Sequence, residues 1–297
     1  MTSQETLVYI DGEFYPRSNA KISVFDHGVL YGDGVFEGIR CYNGVVFKLI
    51  EHLERLYASA KAIRLNIPLT IDELKDAVIK TLRVNGLRDA YIRLVVTRGV
   101  GDLGLDPRKC GRPTVFIIAE RMDPILGSVA KERGVRVIIS SIRRDSIAST
   151  SHEIKSLNYL NSILAKLEAI NANSDDAIML DANGFVSEAT GANVFIVKNR
   201  ALHTPPVTAA ILPGITRRFV MELASSKGIK TYERDITPTE LVLADEVFLT
   251  GTGAEIVPVV NVNGVSIGEG RPGEVTKTIM EEFDRRKVLP SEGTPID

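Results

Sequence analysis

The chain has 297 residues, enough for two cores of ordinary size, and its 44% hydrophobic and 25% charged side chains exclude a disordered or coiled-coil protein. Lysine and arginine number 36 against 38 acidic residues, a net charge of −2 that excludes binding to nucleic acid or a membrane surface by bulk charge. Two cysteines (Cys41 and Cys110) and four scattered histidines imply neither a disulfide framework nor zinc-ligand spacing, so a metal-independent protein of a reducing cytoplasm is expected. No apolar run reaches the roughly 18–20 residues that span a bilayer, and residues 1–12 lack the basic-then-apolar order of a signal peptide.

Asp11-Gly12, Asn43-Gly44, Asn183-Gly184 and Asn263-Gly264 each separate β-rich runs, and each predicts a type I′ hairpin turn with positive φ at both residues. Leu49, Leu53, Leu56 and Ala60 repeat at helical spacing. Thr70 and Glu73 form a capping box that opens a second helix, ending near Asn85-Gly86. Strands follow at 90–98 and 113–119, giving an α+β first domain over 1–121. Periodicity lapses over 122–129, the expected inter-domain connection. A second domain over 130–297 is expected to carry strands at 135–140, 177–180, 185–189, 193–197 and 246–250. Its helices carry Leu157, Leu160, Leu164 and Leu167, then Ile215, Phe219, Val220 and Leu223, then 273–286, before a loose tail at 290–297.

Several side chains in this frame could carry chemistry. Lys155 lies where a loop becomes a helix, a place where an amine can be desolvated as a Schiff-base lysine requires, although taken alone it reads as a solvated surface charge, as most lysines are. Glu188 interrupts the apolar strand Phe185-Val186-Ser187-Glu188-Ala189, which is costly unless the carboxylate is paired or faces outward. Leu212-Pro213-Gly214-Ile215-Thr216 enters a helix and Thr250-Gly251-Thr252-Gly253-Ala254 follows a strand, so both offer backbone amides and hydroxyls to an anion, or serve as ordinary caps. Tyr91 and Arg93 share one strand face, where Arg93 is either a carboxylate clamp or a structural ion pair. Tyr31, Phe36 and Arg40 come from the neighbouring run.

Taken in order, these segments resemble the fold-type IV pyridoxal phosphate enzymes, and most closely the branched-chain amino acid aminotransferases, over nearly the whole chain. The motifs are Tyr31 to Arg40, Lys155-Ser156-Leu157-Asn158-Tyr159, Ser187-Glu188-Ala189-Thr190-Gly191-Ala192-Asn193, Leu212-Pro213-Gly214-Ile215-Thr216 and Gly251-Thr252-Gly253-Ala254-Glu255. The resemblance implies two α/β domains with pyridoxal 5′-phosphate at their interface. It implies that Lys155 holds the cofactor covalently, Tyr159 bonds its phenolic oxygen, Glu188 pairs with its ring nitrogen and Leu212 packs on its ring face. Arg55, Ile215, Thr216 and Thr252 would grip its phosphate. Tyr31, Phe36, Gly38, Arg40, Tyr91 and Arg93 would line the substrate pocket, with the Gly253 and Ala254 turn receiving the α-carboxylate. The implied reaction is transamination of leucine, isoleucine and valine with 2-oxoglutarate, by a homodimer at least, with a trimer of dimers as the larger alternative.

Two features depart from the usual branched-chain pattern. Residues 123–127 contain no aromatic, and Tyr159 follows Lys155 by four positions rather than five. The shorter spacing also occurs in D-amino acid aminotransferases and aminodeoxychorismate lyases, the alternative readings. Arg98 is available as a D-type carboxylate trap, but Gly99-Val100-Gly101 supplies no accompanying histidine. A non-catalytic cofactor-binding protein is the remote alternative.

Overall fold

A computed structural model describes residues 5–123, 126–127 and 129–297, and they form an α+β protein of two compact units. The chain runs β1 (Leu7–Ile10), β2 (Glu13–Pro16), α1 (His27–Tyr31), β3 (Gly34–Tyr42), β4 (Val45–Phe47), α2 (Leu49–Ala62), α3 (Ile71–Val84), β5 (Ala90–Thr97) and β6 (Val115–Glu120). It continues with α4 (Val129–Arg133), β7 (Val135–Ile139), α5 (Leu160–Asn171), β8 (Asp176–Leu180), β9 (Val186–Ala189), β10 (Asn193–Lys198), β11 (Ala201–Thr204) and α6 (Ile215–Ser226). Then come β12 (Thr231–Glu233), α7 (Pro238–Val242), β13 (Glu246–Gly251), β14 (Glu255–Val262), β15 (Val265–Ser266), α8 (Glu274–Arg286) and β16 (Gly293–Pro295).

The first unit is built on a sheet in the order β16-β4-β3-β5-β6-β1-β2. One face of this sheet carries Ile39, Ile92, Leu94 and Ile117 into a core closed by Leu53 and Leu56 of α2 and Leu74, Val78 and Leu82 of α3. The spacing that predicts α2 is the spacing of its buried face. The capping box on α3 is formed: Glu73 N donates to Thr70 Oγ1 at 3.3 Å, and Thr70 N donates to Glu73 Oε2 at 2.7 Å.

Two segments join this unit from beyond the expected 121/122 boundary, Ile154–Asn158 and Lys287–Asp297. Ile154 packs on the first core, Ser156 bridges to Val35, and Phe36 N donates to the Lys155 carbonyl at 3.0 Å. Residues 290–297 are not a loose tail. They form a short turn and then β16, which extends the sheet along β4, buries Ile296 and pairs Glu292 with Lys48 at 2.8 Å. Of the expected connection 122–129, Pro124, Ile125 and Ser128 lie outside the described residues.

The second unit, Asp123–Glu153 with Tyr159–Arg286, carries a sheet in the order β12-β11-β10-β13-β14-β7-β8-β9, with β15 also paired to β14. Val194, Ile196, Leu249, Val257 and Val259 lie in its main core. Helix α5 sits on the sheet through small residues, Ala165 and Ala169 against Ala177 and Met179. Its large residues Leu160, Ile163, Leu164, Leu167 and Ile170 point to solvent, and Leu157 is not part of the helix.

Three of the four predicted turns have positive φ at both positions: Asp11/Gly12, Asn43/Gly44 and Asn263/Gly264. Asn183-Gly184 differs, because only Gly184 is positive. There the connection between β8 and β9 is longer, and Asp181 Oδ1 shapes it by accepting from Asn183 N and Phe185 N, each at 2.9 Å.

Candidate active site

In the first unit, strand register assembles most of the predicted substrate residues. Phe36, Gly38 and Arg40 alternate on the face of β3 opposite the core, and Gly38 pairs with Arg93 and Arg40 with Tyr91 of β5. Paired residues share a face, so all five side-chain positions stand together. Gly38 gives the Tyr91 ring its room: a Cβ there would lie 2.3 Å from Tyr91 Oη, so the ring would have to shift. Arg93 Nη2 donates to Tyr91 Oη at 3.2 Å, and the Arg93 guanidinium lies 4.6 Å from the centre of the Phe36 ring. Lys155 Nζ is 4.5 Å from the same ring. One apolar ring thus has both an amine and a guanidinium against it. Arg40 donates through Nη1 to the Met122 carbonyl at 2.6 Å, while its buried Nε and Nη2 have no hydrogen-bond partner among the described residues.

Lys155 is not at a helix start. It lies in a loop bridged at Ser156 to the beginning of β3, its N–H donating to Ser59 Oγ at 3.1 Å, and α5 begins only at Leu160. The pairing with β3 is non-local, which local periodicity cannot reveal. Tyr31 is held elsewhere in the unit, at the end of α1. Its hydroxyl donates to the Leu103 carbonyl, and its ring stands edge-on to His27 at 5.0 Å.

On the core face of β3 lies a cluster that sequence reasoning missed. Glu37 is fully buried and accepts from Arg55 Nε at 2.7 Å, Arg55 Nη2 at 2.8 Å and His52 Nδ1 at 2.8 Å. Burial alone would raise its pKa, but the Arg55 charge and then His52 outweigh that and hold it at about 2. Burial pushes His52 below its ordinary value, against the pull of Glu37. The signal was present in the sequence, since Glu37 interrupts an apolar strand just as Glu188 does.

In the second unit, Glu188 is buried on β9, which excludes the outward-facing reading. Its Oε1 accepts from Arg144 Nη2, and its Oε2 accepts from Asn193 Nδ2 at 2.9 Å and from Leu212 N at 3.1 Å. Arg144, also missed, is buried and donates through Nη1 to Ser162 Oγ at 2.8 Å. It follows Ser141-Ile142-Arg143, a stretch with no periodic pattern to single it out. Ser162 lies in the first turn of α5, directly after Tyr159, the residue that caps that helix.

Asn193 Nδ2 also donates to the Leu212 carbonyl at 2.9 Å, so one amide ties Glu188 to the turn before α6. Gly214 is the N-cap of α6 and, as a glycine, contributes no side-chain hydrogen bond to the helix amides. A Cβ on Gly214 would lie 2.0 Å from Asn193 Oδ1. Strand pairing sets Thr250 beside Asn193, at the start of the turn that carries Thr252, Gly253 and Ala254. The Thr250 hydroxyl is buried without a hydrogen-bond partner among the described residues.

Arg98 is committed within the first unit. Nε and Nη2 donate to the two oxygens of Asp33 at 2.9 Å, Nη1 to the Arg64 carbonyl and Nη2 to the Ile63 carbonyl, each at 2.7 Å.

Among the described residues no group of three metal-ligating side chains occurs, and no helix is long and apolar enough to cross a membrane.

A family model for class IV amino-transferases matches residues 34–262. A Methanocaldococcus jannaschii protein, provisionally named a branched-chain-amino-acid aminotransferase, is 57% identical over 276 residues, covering 93% of this chain and 94% of its own length. The crystal structure of the Escherichia coli branched-chain amino acid aminotransferase superimposes with a TM-score of 0.93 at 40% identity, covering 96% of this chain and 95% of that one. The T.th. branched-chain amino acid aminotransferase, crystallised with N-(5′-phosphopyridoxyl)-L-glutamate, superimposes with a TM-score of 0.92 at 35% identity over 99% of both chains.

Proposed function

This chain belongs to the class IV aminotransferases, which depend on pyridoxal phosphate, and from that premise we propose that it transfers the amino group of leucine, isoleucine or valine to 2-oxoglutarate. The residues fit the cofactor. The α6 N-terminus, entered through Gly214, suits its phosphate, and a buried carboxylate fixed by three donors suits its ring nitrogen. When bound, pyridoxal phosphate supplies an electron-accepting ring that spreads the charge developing at the substrate α-carbon.

Lys155 would hold the cofactor through Nζ, and its free amine would carry a proton to and from the substrate α-carbon. Glu188 holds a proton at the ring nitrogen, with Arg144 and Asn193 orienting its carboxylate. Tyr159 bonds the phenolic oxygen and Leu212 packs on the ring face. Arg55, Ile215, Thr216 and Thr252 bind the phosphate, and the amides of Gly253 and Ala254 receive the α-carboxylate. Tyr31, Phe36, Gly38, Arg40, Tyr91 and Arg93 form the side-chain pocket.

The observation that carries the branched-chain reading is the Phe36 ring with Lys155 on it and the Arg93–Tyr91 pair beside it. It offers an apolar wall to leucine and a guanidinium with a phenol to the distal carboxylate of glutamate. The D-amino acid reading needs Arg98 for a substrate carboxylate, and Asp33 with two backbone carbonyls already occupies four of its five N–H donors. A coupled assay offering L-leucine, D-alanine and aminodeoxychorismate in parallel, with 2-oxoglutarate for the two amino acids, tests this. Turnover of L-leucine alone is expected, and preferential turnover of either rival would replace the reading.

The working unit is a homodimer or a larger oligomer. Each unit leaves large apolar side chains in water: Val24, Phe25, Val29, Leu103 and Leu105 in the first, and Leu160, Ile163, Leu164, Leu167 and Ile170 in the second.

A further inference from the structure

Glu37 is sealed from solvent on the core face of β3, where an ionised carboxylate is costly unless it is matched. The match is a two-point contact along the Nε–Nη2 edge of Arg55, at 2.7 and 2.8 Å. Such a contact fixes the plane of a guanidinium as well as its distance, which a single bond or a lysine could not do. His52 fixes the carboxylate in turn. Its Nδ1 lies 2.8 Å from Oε2, and the ring is 1% exposed, with Nε2 lacking a hydrogen-bond partner among the described residues. Both α2 residues face the same strand position three residues apart on the helix.

We propose that Glu37 and His52 are positioning residues for the cofactor phosphate: Glu37 sets the plane of the Arg55 guanidinium before the phosphate arrives, and His52 keeps the carboxylate on that edge. The proposal rests on Arg55 as a phosphate-binding residue. An arginine already immobilised loses little side-chain freedom on binding, so the affinity gained is that of pre-organisation rather than of an added contact. A purely structural role would have Glu37 doing no more than compensating a buried cation.

The two roles separate when the cofactor-free protein is titrated by absorbance with pyridoxal phosphate and with pyridoxal, which has the same aldehyde and no phosphate. Glu37→Gln is expected to weaken pyridoxal phosphate by about 10–100-fold, by analogy with the loss when an outer-shell partner that orients a metal ligand is removed, while pyridoxal affinity stays within about twofold of wild type. His52→Gln should lose in the same direction by a smaller factor. Should Glu37→Gln fail to fold, Glu37→Asp keeps the charge but withdraws it from the Arg55 edge, and the same selective loss is expected. Equal losses for both ligands would overturn the proposal in favour of the structural role. Arg55→Gln separates the two levels of the argument. If it abolishes the preference for the phosphorylated ligand while the Glu37 variants keep it, positioning is wrong. If Arg55→Gln itself keeps that preference, the phosphate assignment of Arg55 falls and the proposal falls with it.

Discussion

Under the proposed function, a side-chain pocket taking leucine in one half-reaction and glutamate in the other would have to hold a cation without presenting it bare to the apolar substrate. Arg93 lies over the Phe36 ring with its Nη2 on Tyr91 Oη, and in that proposed role its charge would keep polarisable and polar partners when no carboxylate is present. Arg93→Met should spare the leucine half-reaction and weaken the glutamate one by roughly 1.5–3 kcal/mol, the worth of a hydrogen bond to a charged group. Single-turnover kinetics with each amino acid measure the two separately, and equal losses would make Arg93 a structural residue. At this scale the sequence is unevenly legible. Glu188 and Glu37 carry the same mark, a carboxylate inside an apolar strand, and only the first was singled out. Arg144 carries no mark, because its importance comes from burial against Glu188 and Ser162, partners 44 and 18 positions away.

Elements placed by local chemistry stand where periodicity and caps put them: α2 by its buried face, α3 by its capping box, α6 after Gly214. The turn before α6 shows how such an element becomes part of a site. Gly214 lets the chain pass so close to Asn193 that any Cβ would overlap its side-chain oxygen, and Asn193 in turn holds both Glu188 and Leu212. Gly214→Ala should therefore push Asn193 out of place and destabilise the fold by about 1–3 kcal/mol, as overpacking does. Because the shift is transmitted to Glu188, cofactor affinity should fall as well. Urea unfolding and cofactor titration check the two effects, and an unchanged pair would show that Asn193 swings aside freely. Elements placed by distant partners carry no such local signal. Residues 290–297 lack strand periodicity and form β16 only because the edge of β4 is there to pair with.

For the whole molecule, the outward apolar face of α5 is the most informative departure from the usual pattern of a surface helix. Leu160 and Ile170 are 66% and 56% exposed, while the helix packs on its own sheet through alanines. A face of that kind in water favours association. Sedimentation should show a dimer or larger species at assay concentrations, and Leu164→Asp should shift it toward smaller ones if α5 is part of an interface. A fully active monomer would contradict the oligomeric reading.

Composition, turn dipeptides, capping signals and five short motifs were enough, by themselves, to determine the α+β class, the aminotransferase resemblance and most candidate residues, because each is a local property of the chain. Only the tertiary structure decided that Ile154–Asn158, and with it Lys155, belongs with the first unit, that Glu188 is buried and paired to Arg144, and that Glu37 lies behind Arg55. Those facts depend on strand pairing and burial between residues far apart in the chain, and on which neighbour supplies the countercharge, so no window of sequence contains them.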